Sequence, residues 1–401
     1  MTPTVYPILG GIAGLAVLLT PRLRRSVVWR AAMTPLASII GSGFLIVGPI
    51  LIGAFGWAAP LIMAALCVLA YAIGAAVRDN IRTTEEIGPP RRRLSRLLEE
   101  AGDLSLALAY LISVGFYLAL FGAFAARLLP EAGEEVALVI TSAALLLILG
   151  IGLSRGFALF ERLEVLIVSL KLVVIAGLLL ALVAYAGGTA REGALILPAG
   201  STELWAGVAL CFGLIVTTQG FETAQYLGDV YTAETRQRAM KVAQWVSGGI
   251  YVLYVTLITF ALPVARDGVT ETEIIDLMAV VSPVLPLALI VAALSAQLSA
   301  AIADTSGFSG LIREVTRGRV AAKPAYTVLV LAGLVMVWTL DVFAIVSLAS
   351  RAFALYYATQ CALAAARRWR GGMGWRGWSF AALTAICLAA AVFGVPFETA
   401  G

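Results

Sequence analysis

Along the chain, apolar runs of roughly 20 residues recur, each closed by a short charged or Gly/Pro-rich stretch. A helix rises about 1.5 Å per residue, so about 20 such residues cross the hydrocarbon of a bilayer, and each run predicts one membrane-spanning helix. The runs lie near 5–20, 31–52, 55–77, 104–128, 136–155, 164–186, 203–229, 242–265, 274–302, 325–340, 342–364 and 377–395. That makes about twelve spans. The first run is followed by its cations, Arg22, Arg24 and Arg25, with no small-residue cleavage site after it. It therefore reads as a retained span and not as a cleaved signal.

The polar positions between the runs give orientation. Arg22 to Arg30, Arg78 to Arg96, Arg155 and Arg162, Arg236 to Lys241, Arg313 to Lys323 and Arg367 to Arg376 all fall on one side of this arrangement. By the positive-inside rule that side is cytoplasmic, and both termini are expected outside. The opposite loops carry Glu131, Glu134, Glu135, Glu203, Asp267, Glu271 and Glu273. The expected location is a bacterial cytoplasmic (inner) membrane. The longest polar segment, 78–103, reads as a solvated cytoplasmic connector with a short amphipathic helix at 92–101.

Composition agrees with the pattern and narrows the chemistry. Of 401 residues, 61% are hydrophobic and 13% charged, with a mean hydropathy of +0.96. The net charge of +4 follows from the loop bias and gives no support to nucleic-acid binding. The chain has no histidine, which removes Ser-His pairs, HExxH zinc sites and a histidine base. Cys67, Cys211, Cys361 and Cys387 each sit in a predicted span without CxxC spacing. No catalytic residues, metal site or cofactor is expected.

Counting ten core helices as two sets of five, the first helix of each set holds a helix-breaking cluster: "IIGSGF" at 39–44 and "TTQGFE" at 217–222. Five is odd, so the two sets must lie inverted in the membrane. Paired interrupted spans are the sequence mark of an inverted-repeat transporter with its site at the midplane. The glycines of "GSG" also suit close helix packing. Packing does not, however, require the bulky polar and ionisable groups of the second cluster, which favour a discontinuous helix. Unwound peptide groups cost several kcal/mol in hydrocarbon unless something satisfies them, so the breaks belong at a cavity. N–H groups after Ser42 and Gly43 suit a carboxylate, and carbonyls near Thr217 to Gln219 suit an ammonium, together an amino-acid zwitterion. The binding residues expected are Ile40, Gly41, Ser42, Gly43, Thr217, Thr218, Gln219, Gly220 and Phe221, the last also a candidate aromatic gate.

These segments resemble known permeases. "SIIGSGFLIVGP" is similar to the first-helix signature of the amino acid–polyamine–organocation (APC) superfamily, and "TTQGFETA" to its sixth-helix segment. "FERLEVLIVSLKLVVIAGLLL" at 160–180 resembles its fifth helix, lysine included. The resemblance extends over roughly residues 30–364 and implies an all-α integral membrane protein. Its core would be a 5+5 inverted repeat (LeuT-like), with discontinuous first and sixth core helices. The organisation expected is an extra N-terminal helix and basic loop (1–29), a first repeat (30–186), a second (187–365) and a C-terminal helix (366–401).

Few ionisable residues lie inside the spans. A charged lysine at Lys171 costs on the order of 3 kcal/mol, so it either carries a proton on and off or snorkels towards the cytoplasm. In the resemblance, its place is where sodium-coupled relatives bind their ion, which implies proton coupling, with Ser295 or Ser299 as helix-eight neighbours. Glu222 is a second proton candidate, or a partner for a substrate amine. Arg351 calls for an anionic partner, with Glu222, Asp304 and Asp341 as the choices, and Asp304 reads as a solvated or inner-gate residue near a cytoplasmic helix end.

The function expected is proton-coupled secondary transport of a small amino acid or related amine by alternating access, with that solute, protons and membrane lipid as partners. The competing readings are an inorganic-ion transporter on the same fold and an intramembrane Ser-Lys hydrolase using Lys171.

Overall fold

The computed structural model describes residues 3–41, 43–88, 92–129, 133–154, 158–228, 230–264, 270, 272–369 and 374–396. It is all-helical among those residues. The helices are α1 (Val5–Leu18), α2 (Pro21–Arg25), α3 (Val27–Ile39), α4 (Gly43–Phe55), α5 (Ala59–Ile87), α6 (Arg93–Ala126), α7 (Glu134–Ser154) and α8 (Ala158–Arg191). They continue as α9 (Leu204–Gly213), α10 (Ala233–Ala261), α11 (Glu273–Val281), α12 (Leu285–Val315), α13 (Ala322–Thr339), α14 (Val342–Arg368) and α15 (Trp375–Phe393). Among the described residues, 9 helical stretches are long and apolar enough to cross a membrane, and α1 and α9 are shorter apolar helices. This is an integral membrane protein.

Two predicted spans are broken where the polar clusters fall. The run at 31–52 divides into α3 and α4 around Ile40 and Gly41, with Ser42 outside the described residues. The run at 203–229 ends its α-helix at Gly213 and continues as two 3-10 segments, Ile215–Thr218 and Phe221–Leu227. Between them Gln219 is extended and Gly220 takes a φ of 110°. That backbone is open to glycine and strained for any other residue.

Two expected boundaries move. The run at 274–302 is not one helix. Ser282 is extended after α11, and a proline in the first turn starts α12 at Leu285, where a missing N–H costs nothing. α12 then runs on to Val315. The amphipathic segment at 92–101 is no separate helix but the opening turns of α6.

The broken helices lie at the centre. α3 packs on α10, α8 and the Phe221–Leu227 segment, and α6 packs along both α12 and α14. α1 lies against α8 through small residues: a Cβ at Gly177 would come within 2.6 Å of the Pro7 carbonyl oxygen, so the two backbones touch. Three of the basic segments meet on one face, at the end of α5. There Glu85 accepts from Arg236 (2.7 Å) and from the amide of Ala233 at the start of α10, while Asp79 pairs with Arg82 and Arg368. Arg127 pairs with Asp276 on the other face.

Candidate functional site

The two breaks meet at the centre, and side chains satisfy much of the peptide surface that unwinding exposes. Gly43 lies against Thr217, where an added Cβ would be 3.5 Å from that residue's Cα. The hydroxyl of Tyr251 on α10 bridges the breaks, reaching the carbonyls of Ile39 (2.9 Å) and Thr217 (2.7 Å). The Val216 amide donates to Ser350 Oγ at 3.0 Å, and the Gly220 amide to Glu222 Oε2 at 2.9 Å. The Thr217 carbonyl, expected to face an ammonium, is thus taken by a tyrosine. Buried tyrosine hydroxyls need a partner, and the tyrosines of "YVLY" at 251–254 were the one sequence signal for this role. Tyr251→Phe leaves a buried carbonyl without a donor, an expected loss of about 1–3 kcal/mol. A lowered Tm of the purified variant together with slowed uptake would show it; an unchanged Tm would deny Tyr251 this bridging role.

Glu222 is fully buried. Its Oε2 also accepts from the Tyr357 hydroxyl at 2.8 Å, and its Oε1 has no hydrogen-bond partner among the described residues. Phe221 stacks on Tyr357 with ring centroids 5.2 Å apart. Together with Thr218 and Gln219 it faces a small crevice against α5, so it packs in the core. Gln219 Nε2 donates to the Tyr117 hydroxyl at 3.1 Å.

The cavity lies one turn away from the breaks. It has a volume of about 480 Å³ and runs between Ser38 on α3, Tyr110 on α6, Thr223 and Tyr226 after the second break, and Asp304 on α12. Its wall continues to Glu314 in the last turn of α12, towards the basic face. Of the expected binding residues that are described, Ile40, Gly41, Gly43 and 217–221, none lines it; their neighbours Ser38 and Thr223 do. Such a volume suits a small organic molecule.

Lys171 is buried, and its Nζ donates to the Ala37 carbonyl at 2.8 Å. It does not snorkel. Beside it a crevice of about 20 Å³ is lined by Ile40, Gly41, Phe44 and Ala296, so Lys171 sits between the first core helix and α12. Of the two serines expected nearby, Ser299 lines the large cavity, whereas the Ser295 hydroxyl bonds Val291 of its own helix.

Two expectations about charges are corrected. Arg351 forms no ion pair with Glu222, Asp304 or Asp341 among the described residues. It is exposed, and its Nε donates to the Ala391 carbonyl on α15 at 2.8 Å, a backbone acceptor that satisfies the hydrogen bond without neutralising the charge. Asp341 caps α14 through the Ala344 amide. Asp304 is not at a solvated helix end: α12 extends about three turns beyond it. Its side chain is buried in the cavity wall, with Oδ2 lacking a partner among the described residues.

A family model described as "APC superfamily transporter" matches residues 21–394. The chain belongs to the APC superfamily of transporters. An "Uncharacterized protein" of Aquifex aeolicus (strain VF5) is 42% identical over 356 residues, 86% of each chain. Among solved structures, Mhp1 matches this APC transporter with a TM-score of 0.59 and 15% identity over 95% of each chain. Mhp1 is a nucleobase-cation-symport-1 family transporter, solved closed with bromovinylhydantoin bound. The fold is therefore LeuT-like, with α3/α4 and α9 plus its 3-10 segments as the discontinuous first and sixth core helices.

Proposed function

We propose that this APC transporter moves a small amino acid or related amine by alternating access, coupled to protons. It would work in a bacterial inner membrane with the basic face cytoplasmic and both termini outside. The observation that carries the reading is the cavity wall. Thr34, Ala37 and Ser38 end the half-helix before the first break, Thr223 and Tyr226 follow the second, and the wall runs on to the exposed Glu314, beside the basic segment 313–323. A cavity walled by two half-helices closes when one bundle rocks against the other.

Coupling is assigned to Lys171, which holds the Ala37 carbonyl in the cavity wall, with Glu222 as a second proton site behind Thr223. A protonated amine grips that carbonyl with a charge-assisted bond, roughly twice as strong as a neutral one. Protonation thus biases the position of α3. The test is uptake of labelled amino acids and amines into proteoliposomes under an imposed proton gradient. Accumulation that collapses with a protonophore is expected; uptake indifferent to the gradient, or confined to inorganic ions, would reject the proposal.

A further inference from the structure

Charges in the cavity are all of one sign. Its described lining residues include the carboxylates of Asp304 and Glu314, the hydroxyls of Thr34, Ser38, Tyr110 and Tyr226, and no lysine or arginine. Asp304 is 5% exposed, has no ion-pair partner among the described residues, and leaves Oδ2 unbonded. Just behind the wall, Glu222 also has Oε1 unbonded among the described residues. A buried carboxylate oxygen without a partner is costly, and a cationic donor is the group that relieves it.

The groups that would hold a carboxylate lie elsewhere. The start of α4 at Gly43 follows Gly41, and Lys171 lies beside Gly41 as well. Gly41 and Lys171 both border the 20 Å³ crevice and not the large cavity. A space of that size holds about one water. Lys171, moreover, spends its Nζ on the Ala37 carbonyl, and Tyr251 occupies the Thr217 carbonyl. Among its described lining residues the cavity offers carboxylates for an ammonium and hydroxyls for polar groups, and no cationic group for a carboxylate.

We infer that the cargo is an organic ammonium ion without a carboxylate, its nitrogen seated on Asp304, in place of the zwitterion suggested by the broken helices alone. This rests on the transport reading above and narrows its substrate class. The cation meets Glu314 at the mouth and Asp304 deeper, so both ends of the path attract it.

The experiment uses matched pairs: several amino acids, each beside the amine formed by its decarboxylation, measured by titration calorimetry on the purified protein and by uptake into proteoliposomes. The amine of a pair is expected to bind at least about tenfold more tightly than its amino acid. Asp304→Asn is expected to weaken amine binding by about 10- to 100-fold, the value of a charge-assisted hydrogen bond. Amino acids binding as tightly as their amines would overturn the inference and leave the transport reading standing. If neither member of any pair bound or entered, the transport reading would fall and the inference with it. Should Asp304→Asn not purify, the preference of the unaltered protein within each pair decides alone.

Discussion

Gly220→Ala is expected to abolish transport and to remove a large part of the folding stability. Gly220 has φ 110° and ψ −14°, a conformation that costs an L residue about 1–3 kcal/mol. The new Cβ would also sit 2.5 Å from Ser38 Oγ, 2.6 Å from Ser38 Cβ and 2.7 Å from the Ile39 nitrogen. The last is backbone of the other broken helix and cannot rotate away. Overpacking of this kind adds about 1–3 kcal/mol, and a folded state holds only about 5–15 kcal/mol in reserve. Gly249→Ala is the control. Gly249 is an exposed residue of α10 with nothing near its missing Cβ, and alanine there should be neutral or slightly stabilising. Size-exclusion profiles, Tm and uptake of the two variants test this. A Gly220→Ala protein with wild-type Tm and uptake would mean that the second break does not depend on its left-handed residue.

The same contact explains why the breaks were legible from sequence and the cavity was not. Glycines and polar side chains inside apolar runs have no use in a continuous membrane helix, so "IIGSGF" and "TTQGFE" mark the unwound places directly. What sequence does not reveal is that the two breaks press against each other. Gly43 meets Thr217 and Gly220 meets Ser38, so the free space moves one turn along, to Ser38 and Thr223. Ile40, Gly41, Gly43 and residues 217–221 therefore build the joint while their neighbours line the hollow.

Asp304 was hidden for a different reason. An apolar run shows where hydrocarbon begins but not where a helix ends, and α12 continues through polar residues to Val315. That carries Asp304 from an assumed end into the wall. Arg351 shows a further limit. Its acceptor is the Ala391 carbonyl, and every residue offers a carbonyl, so no pattern of side chains could identify it. Lys171 was legible as a buried cation, since an apolar span seldom carries one without use. Its grip on the Ala37 carbonyl was not, and that grip makes the second prediction specific.

Lys171→Arg is expected to abolish gradient-driven accumulation while preserving the folded protein, and Lys171→Ala to abolish accumulation with some loss of stability. The ammonium of Lys171 holds the Ala37 carbonyl at 2.8 Å, and Ala37 and Ser38 form the inner wall. An alanine leaves that buried carbonyl unsatisfied, at about 1–3 kcal/mol, so lost uptake in that variant alone could reflect a loosened α3. Arginine separates the two causes. Its guanidinium donates to a carbonyl as lysine does but cannot release its proton, so the wall stays held and the cycle of grip and release stops. Exchange of labelled for unlabelled cargo across a membrane without a gradient needs no net proton movement, and should fall much less than accumulation in Lys171→Arg. Uptake that still follows the proton gradient in both variants would remove Lys171 from the coupling step and leave Glu222, held at one oxygen by Gly220 and Tyr357, as the carrier of the proton.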